Sequence, residues 1–448
     1  MKVSVIGAGY VGLVSGVCLA AKGHEVICVD IDKEKVANIN NGIPPIHEKG
    51  LEDLLKDYIG KSLVATDELH KAVLDTDLSL IAVGTPFDGE HIDLSYIEDV
   101  SRQIGEAIKD KDSYHVVVVK STVVPGTSDE VVLPILESAS GKMAGTDFGV
   151  GMNPEFLREG EAIDDFMNPD RIVLGGIDKK THDALRDVYS PFAGVDVLET
   201  NNKTAEMIKY TSNALLATMI SFSNEIGNLC AALGGIDVTE VMRGVHLDKR
   251  LSPVLDDGTR ITPKIVTYIE AGCGFGGSCF PKDVKALIAY GKQSGEPMDL
   301  LSSVITVNKS QPDKVLGLLG RHFPSFDGLL ISVLGLAFKP GTDDMRESPA
   351  IPIVNKLIAQ GALIKAYDPV AKHVASKIFD GSKITFCDDL NETIDNADGV
   401  LLLTCWDKFR EVPELLSRMD KKPVFIDGRR MLDKNTIENY EGIGLTSR

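Results

Sequence analysis

Short apolar runs ending in glycine recur along this chain, and two of them open in the same way. Val3–Ile6 predicts a strand that runs into Gly7-Ala8-Gly9-Tyr10-Val11-Gly12, and a helical pattern follows from Leu13 to about Lys22. Gly23 stops that helix, and a second strand, Glu25–Val29, ends at Asp30. Two further apolar strands, Asp77–Val83 and Val116–Val119, lead into Gly84-Thr85-Pro86 and Lys120–Gly126. From Thr204 to Leu233 the period becomes helical without a proline, predicting one helix of roughly 45 Å that ends at Gly234-Gly235. It is apolar around much of its circumference, so both sides are expected to be buried. Asn308–Phe323 predicts a connecting helix, broken by Pro312 near its start and Pro324 at its end. At Leu329 the opening pattern returns, with Gly335 and Asp368 standing where Gly7 and Asp30 stood, and 397–404 echoing 76–83.

This order predicts an α/β fold with two Rossmann-like doubly wound domains joined by a long central helix. The expected divisions are 1–200, then 201–307 with a cysteine-bearing loop, then 308–448. At 448 residues two or three domains are expected. A net charge of −19 argues against nucleic-acid and anionic-membrane partners, which need a basic face. No apolar run is long enough to span a membrane, and the chain opens directly into a strand without a signal-peptide pattern. Seven scattered cysteines without a CxxC suit a reducing cytoplasm and offer no metal site.

Candidate chemistry gathers at strand ends and in one loop. The glycine turn before a helix, with an acid 18 residues past Gly12, is a dinucleotide fingerprint. Asp30 can accept both ribose hydroxyls and disfavours an added phosphate, so NAD is the expected cofactor. Thr85 and Thr122 are candidate contacts for cofactor or water. Glu155 lies between Asn-Pro and an apolar Phe156-Leu157, an odd environment for a surface acid, with Glu159 beyond it. Lys209 and Asn213 share one helix face and could cradle an oxyanion. The loop 272–283 has four glycines within six residues, then Cys279, Lys282 and Asp283. A cysteine nucleophile needs that setting: adjacent positive charge and a group that handles water or a proton. The second Rossmann-like half lacks GxGxxG. In its place Lys339 and Arg346 suit a nucleotide or sugar phosphate other than the first dinucleotide.

The stretches 5–12, 121–127, 153–160, 205–214, 274–283 and 335–350 resemble the UDP-glucose/GDP-mannose 6-dehydrogenase family, the UDP-glucose branch most closely, over nearly the full length. The resemblance implies four-electron oxidation of a nucleotide sugar at C6, using two NAD⁺ and one water, for polysaccharide biosynthesis. It makes Cys279 the nucleophile and Lys209 the oxyanion stabiliser beside Asn213. Asp283, Glu155 and Thr122 take acid–base and water-ordering roles. Cofactor contacts fall on Gly7, Gly9, Val11, Gly12, Asp30, Lys35, Thr85, Thr122, Glu159, Lys282 and Arg346. Substrate contacts fall on Glu155, Phe156, Leu157, Lys209, Asn213, Tyr268, Ala271, Gly272, Gly276 and Lys339. Arg260 matches an arginine that reaches the sugar nucleotide across a homodimer interface, and Ser252–Gly258 reads as an elaborated loop. The sugar and base stay open between UDP-glucose, another UDP-hexose and GDP-mannose. A single-step hydroxyacid dehydrogenase and an NAD-sensing redox regulator are the competing readings from other classes.

Overall fold

Lys2–Ile6 (β1) is buried almost throughout, and it lies between two strands that come from later in the chain, 25–29 on one side and 78–81 on the other. The computed structural model describes residues 1–446, which divide into two compact units, Met1–Ser212 and a second that begins at Asn213. The last two residues of the expected 308–448 segment lie outside the described residues.

In the first unit β1 joins Glu25–Val29 (β2), Leu63–Thr66 (β3), Leu78–Ile81 (β4), His115–Val119 (β5), Phe148–Met152 (β6), Ile172–Gly176 (β7) and Val197–Thr200 (β8). The sheet order is β3-β2-β1-β4-β5-β6-β7-β8, parallel except between β6 and β7. Strands such as β5, HVVVV, are buried along their whole length, which is why they read as unbroken apolar runs rather than alternating ones. The order reverses between β1 and β4, and the glycine turn after β1 lies at that reversal, where doubly wound sheets take ligands. Tyr10–Ala21 (α1) starts from that turn.

Asn202–Leu233 (α2) is the single long helix expected from the sequence. Its first turns, through Ser212, belong to the first unit and the remainder to the second. The second unit continues with Val238–His246 (α3), Phe280–Gln293 (α4) and Asp299–Gly320 (α5). Helix α5 corrects the expectation of a break at Pro312. It starts nine residues before Asn308 and runs through the proline, because Gln311, Pro312, Val315, Leu316, Leu318 and Leu319 are buried in the unit's core. One lost backbone hydrogen bond is outweighed by that buried face.

The second sheet comprises Leu330–Leu334 (β9), Leu363–Tyr367 (β10), Ile384–Phe386 (β11), Gly399–Leu402 (β12), Val424–Asp427 (β13) and Tyr440–Gly442 (β14), in the order β11-β10-β9-β12-β13-β14 and parallel throughout. It repeats the first six-strand order of the other unit, as the returning pattern predicts. Asp368 is used differently from Asp30, however. It is buried, and its two oxygens accept from Leu336 N, Ala337 N, Val370 N, Ala371 N and Trp406 Nε1. The carboxylate fixes its own turn, which leaves the second Rossmann-like half without a ribose acceptor of the Asp30 kind. Among the described residues no cysteine is in a disulfide: five are buried, Cys279 is half-buried and Cys405 is exposed. No described helix is long and apolar enough to cross a membrane.

Candidate functional site

The turn after β1 is shaped for a ligand that approaches the main chain. A Cβ on Gly12 would lie 1.8 Å from Gly7 O, whereas one on Gly9 would meet nothing within 4 Å. The backbone is therefore tightly folded on its inner side and open on the outer side, where the first N–H groups of α1 have no side-chain cap. That is a cradle for a pyrophosphate. Asp30, at the end of β2, accepts from Ala8 N at 2.9 Å and pairs with Lys35 Nζ at 2.8 Å, so both expected ribose contacts sit together. Thr85 Oγ1 donates to Thr122 O at 2.7 Å, joining the loops after β4 and β5. The loop of Glu159 is fastened to the same place. Gly160 N donates to Glu48 Oε2 at 2.7 Å, and Tyr10 OH bonds that carboxylate too. These residues fit a bound dinucleotide, with Gly7, Gly9, Val11 and Gly12 at the phosphates and Asp30 with Lys35 at the ribose.

Still within the first unit, Glu155 is 7% exposed and Lys209 only 3%, and Lys209 Nζ lies 2.9 Å from Glu155 Oε1. The lysine does not snorkel; it is a buried ion pair. Burial works to raise the Glu155 carboxyl, but Lys209, the Leu157 N–H at 2.6 Å and Lys120 outweigh it and hold the group below its ordinary value. Phe156 floors the pair, with Lys209 Nζ 5.7 Å and the Arg171 guanidinium 3.8 Å from its ring centre. Lys120 was not singled out from sequence. It is buried at the end of β5 and donates to Asn153 Oδ1 at 2.8 Å, and burial pushes its ammonium down to about 8. The signal available was a lysine closing a run of four valines, 116–119.

In the second unit Cys279 is the N-cap of α4, with Pro281 in the first turn. Helix N-termini favour a thiolate. Ser278 Oγ lies 3.6 Å from Cys279 Sγ. One turn on, Asp283 is 1% exposed, accepts from Asn213 Nδ2 at 2.6 Å and pairs with Lys282 Nζ at 2.7 Å. The glycine-rich loop before the cysteine is pinned at every step. Gly272 N donates to Asn224 Oδ1 at 2.7 Å, and Phe275 exchanges two hydrogen bonds with the Asn308 amide. Arg429 Nη1 donates to Gly274 O at 2.8 Å, and Gly277 N to Arg346 O at 2.8 Å. A Cβ on Gly276 would stand 2.4 Å from Glu347 O, so only glycine permits that approach.

Other expected residues are placed around this loop. Tyr268 and Phe275 flank Phe280, with ring centres 6.2 and 6.0 Å away. Ala271 and Gly272 are buried beneath it. Lys339 Nζ lies 5.8 Å from the Phe338 ring centre, while the Arg346 side chain grips Asp344 at 2.7 Å. Arg260 donates to Leu247 O and Ser252 O, so it ties down the loop from which it projects. Asn224, Asn308 and Arg429 were missed from sequence. Only Arg429 carried a signal, since Asp427-Gly428-Arg429-Arg430 puts cations at a strand's carboxyl end, as the Lys339 loop does. Among the described residues no group of three or more His, Cys, Asp or Glu could hold a metal.

Comparison with known proteins agrees along the whole chain. Residues 1–193 match the NAD binding domain of the UDP-glucose/GDP-mannose dehydrogenase family, 203–310 its central domain and 332–434 its UDP binding domain. A UDP-glucose 6-dehydrogenase of Haloferax volcanii is 40% identical over 448 residues, covering 99% of this chain and 100% of the relative. A GDP-mannose 6-dehydrogenase of Pseudomonas aeruginosa is also 40% identical, over 456 residues, with 99% and 100% covered. The solved UDP-glucose dehydrogenase of Pyrobaculum islandicum superposes with a TM-score of 0.89 at 37% identity, covering 99% of this chain and 98% of that one. The chain belongs to the UDP-glucose/GDP-mannose dehydrogenase family: it is an NAD-dependent nucleotide-sugar dehydrogenase.

Proposed function

We propose that this protein is a UDP-glucose 6-dehydrogenase that oxidises C6 of the sugar from alcohol to carboxylate through a covalent bond to Cys279. Two preformed devices, one within each unit, support this reading. One is a buried lysine paired with Glu155. The other is a cysteine at a helix N-terminus with a buried, doubly held aspartate one turn away. Residues 1–200 would hold the cofactor, 201–307 the cysteine chemistry and 308–448 the nucleotide of the sugar. NAD⁺, when bound, accepts the hydride in each of the two oxidations. Between them, Cys279 Sγ adds to the C6 aldehyde, and the ammonium of Lys209, with the Asn213 amide, stabilises the oxyanion that forms. After the second oxidation C6 is a thioester. A water oriented by Asp283 and Thr122 attacks it, the C–S bond breaks, and the carboxylate leaves while the thiolate is restored. Glu155 keeps Lys209 positioned and takes part in proton exchange through water. The covalent stage holds the aldehyde between the two oxidations, which a single-step hydroxyacid dehydrogenase has no need to do.

Relatives named for UDP-glucose and GDP-mannose are equally near in identity, so the substrate is decided by assay. With a panel of UDP- and GDP-sugars, UDP-glucose should give the highest kcat/KM and two NADH per sugar. One NADH per sugar would remove the four-electron reading, and preference for GDP-mannose would reassign the sugar and base while leaving the mechanism. The working form proposed is a cytoplasmic homodimer. Leu215, Phe222, Leu229 and Leu233 on α2 are each more than half exposed at spacings of seven, seven and four, one apolar stripe that a second copy would cover. Light scattering should return twice the chain mass of 48.3 kDa.

A further inference from the structure

The start of α2 grips one short segment of the first unit with three side chains, those of Asn202, Lys203 and Glu206. Asn202 Nδ2 donates to Asp129 Oδ1 at 2.7 Å, and Lys203 Nζ pairs with Glu130 Oε1 at 2.9 Å. Glu206, fully buried, receives Gly126 N at 2.5 Å on one oxygen and both Ser128 N at 2.8 Å and Ser128 Oγ at 2.7 Å on the other. The gripped segment is wound as a π-helix over Ser128–Val132, a geometry that costs stability and is found mostly where function requires it. Gly126 is only four residues beyond Thr122, and Glu206 only three before Lys209. A buried carboxylate that accepts three donors is a rigid joint, because each oxygen's direction is fixed.

We propose that Glu206 is a positioning residue for the oxidation, setting the loop that carries Thr122 against the turn of α2 that carries Lys209. The inference rests on the roles given above to Thr122 and Lys209. Misplacement of reacting groups by about 1 Å costs on the order of 10²-fold in rate, so a joint between the water-ordering threonine and the oxyanion lysine acts on turnover rather than on binding. Neither Glu206 nor Ser128 need touch the substrate.

The test uses Glu206→Gln, whose new NH₂ would oppose the N–H donors, and Ser128→Ala, which removes one bond and leaves the peptide contact. Both are assayed with NAD⁺ and the preferred nucleotide sugar at about pH 8.5, where the carboxylate, raised to about 7 by burial, is ionised. Glu206→Gln should lower kcat by about 10²-fold and Ser128→Ala by a few-fold. KM values and NAD⁺ affinity should stay near wild type, and kcat is read well below each variant's melting midpoint, which the unsatisfied buried donors lower in Glu206→Gln. In a Thr122→Ala background Glu206→Gln should have little further effect, since the residue it positions is gone. Multiplicative losses in that cycle, or a kcat loss matched by a loss of KM or NAD⁺ affinity, would reduce Glu206 to a packing residue. If Glu206→Gln does not fold, a wild-type kcat in Ser128→Ala overturns the proposal equally. Wild-type enzyme that forms no NADH with any nucleotide sugar removes the underlying reading instead, and is seen before any variant is made.

Discussion

Glu155 and Lys209 illustrate how little freedom a buried charge has. Each is nearly inaccessible to water, and each is tolerated because the other lies 2.9 Å away. Removing one partner leaves the other uncompensated, which in proteins costs about 3–5 kcal/mol. Glu155→Gln should therefore lower both turnover and unfolding free energy, by about 3 kcal/mol in urea titration. A variant as stable as wild type would show that water reaches the pair. Cys279 makes the sharper case. Cys279→Ser should lose steady-state turnover yet accumulate protein heavier by one uronyl nucleotide-sugar unit, because an oxygen ester is hydrolysed poorly. Cys279→Ala should lose turnover with no adduct, while NAD⁺ affinity persists. Cys273→Ser serves as control, since that thiol is fully buried and faces Leu403 O at 3.7 Å. Intact mass after incubation with NAD⁺ and sugar decides it, and full oxidation by the alanine variant would end the covalent mechanism.

At the scale of elements, the first sheet contains a polar thread through its core that has nothing to do with the reaction. Ser4 on β1, Ser79 on β4 and His115 on β5 are linked at 2.7 and 2.8 Å, with His115 Nδ1 3.2 Å from Thr76 O. Burial, helped by nearby Lys111, pushes the His115 imidazolium down to about 3. The unfolded chain takes up that proton near pH 6.5 and the folded chain only near 3. The unfolded state thus binds more protons in between, and stability falls as pH drops through that window by up to about 1.4 kcal/mol per unit. Urea midpoints from pH 7 to about 4 should fall steeply in wild type and less so in His115→Gln; equal slopes would place the acid sensitivity elsewhere. Strands like these were legible because both faces are buried, and α2 because thirty residues pass without a proline. The dinucleotide turn, Asp30, Lys209 and Cys279 stood out as candidates because each breaks a pattern: glycine after a strand, charge on an apolar face, a thiol among glycines. Asn224, Asn308 and Glu206 were not. Each is an ordinary helix residue whose partner lies 33 or more positions away, so its role exists only after packing. Pro312 misled for the same reason, since core burial overrode a local helix breaker.

Across the whole molecule, the distribution of thiols has an analytical consequence. Five of seven are sealed in the cores, and the exposed Cys405 has its thiol pushed up to about 11 by its surroundings, so it is slow to form the reactive thiolate. A mild alkylating reagent at neutral pH should therefore label the native protein at Cys279 first, by peptide mapping, and denaturant should release the other six. Labelling that begins at Cys405 would show that accessibility, not ionisation, governs the order. On the proposed mechanism Cys279 is then self-reporting: a single isotope-coded tag, read against added nucleotide sugar, becomes an occupancy gauge that needs no turnover at all.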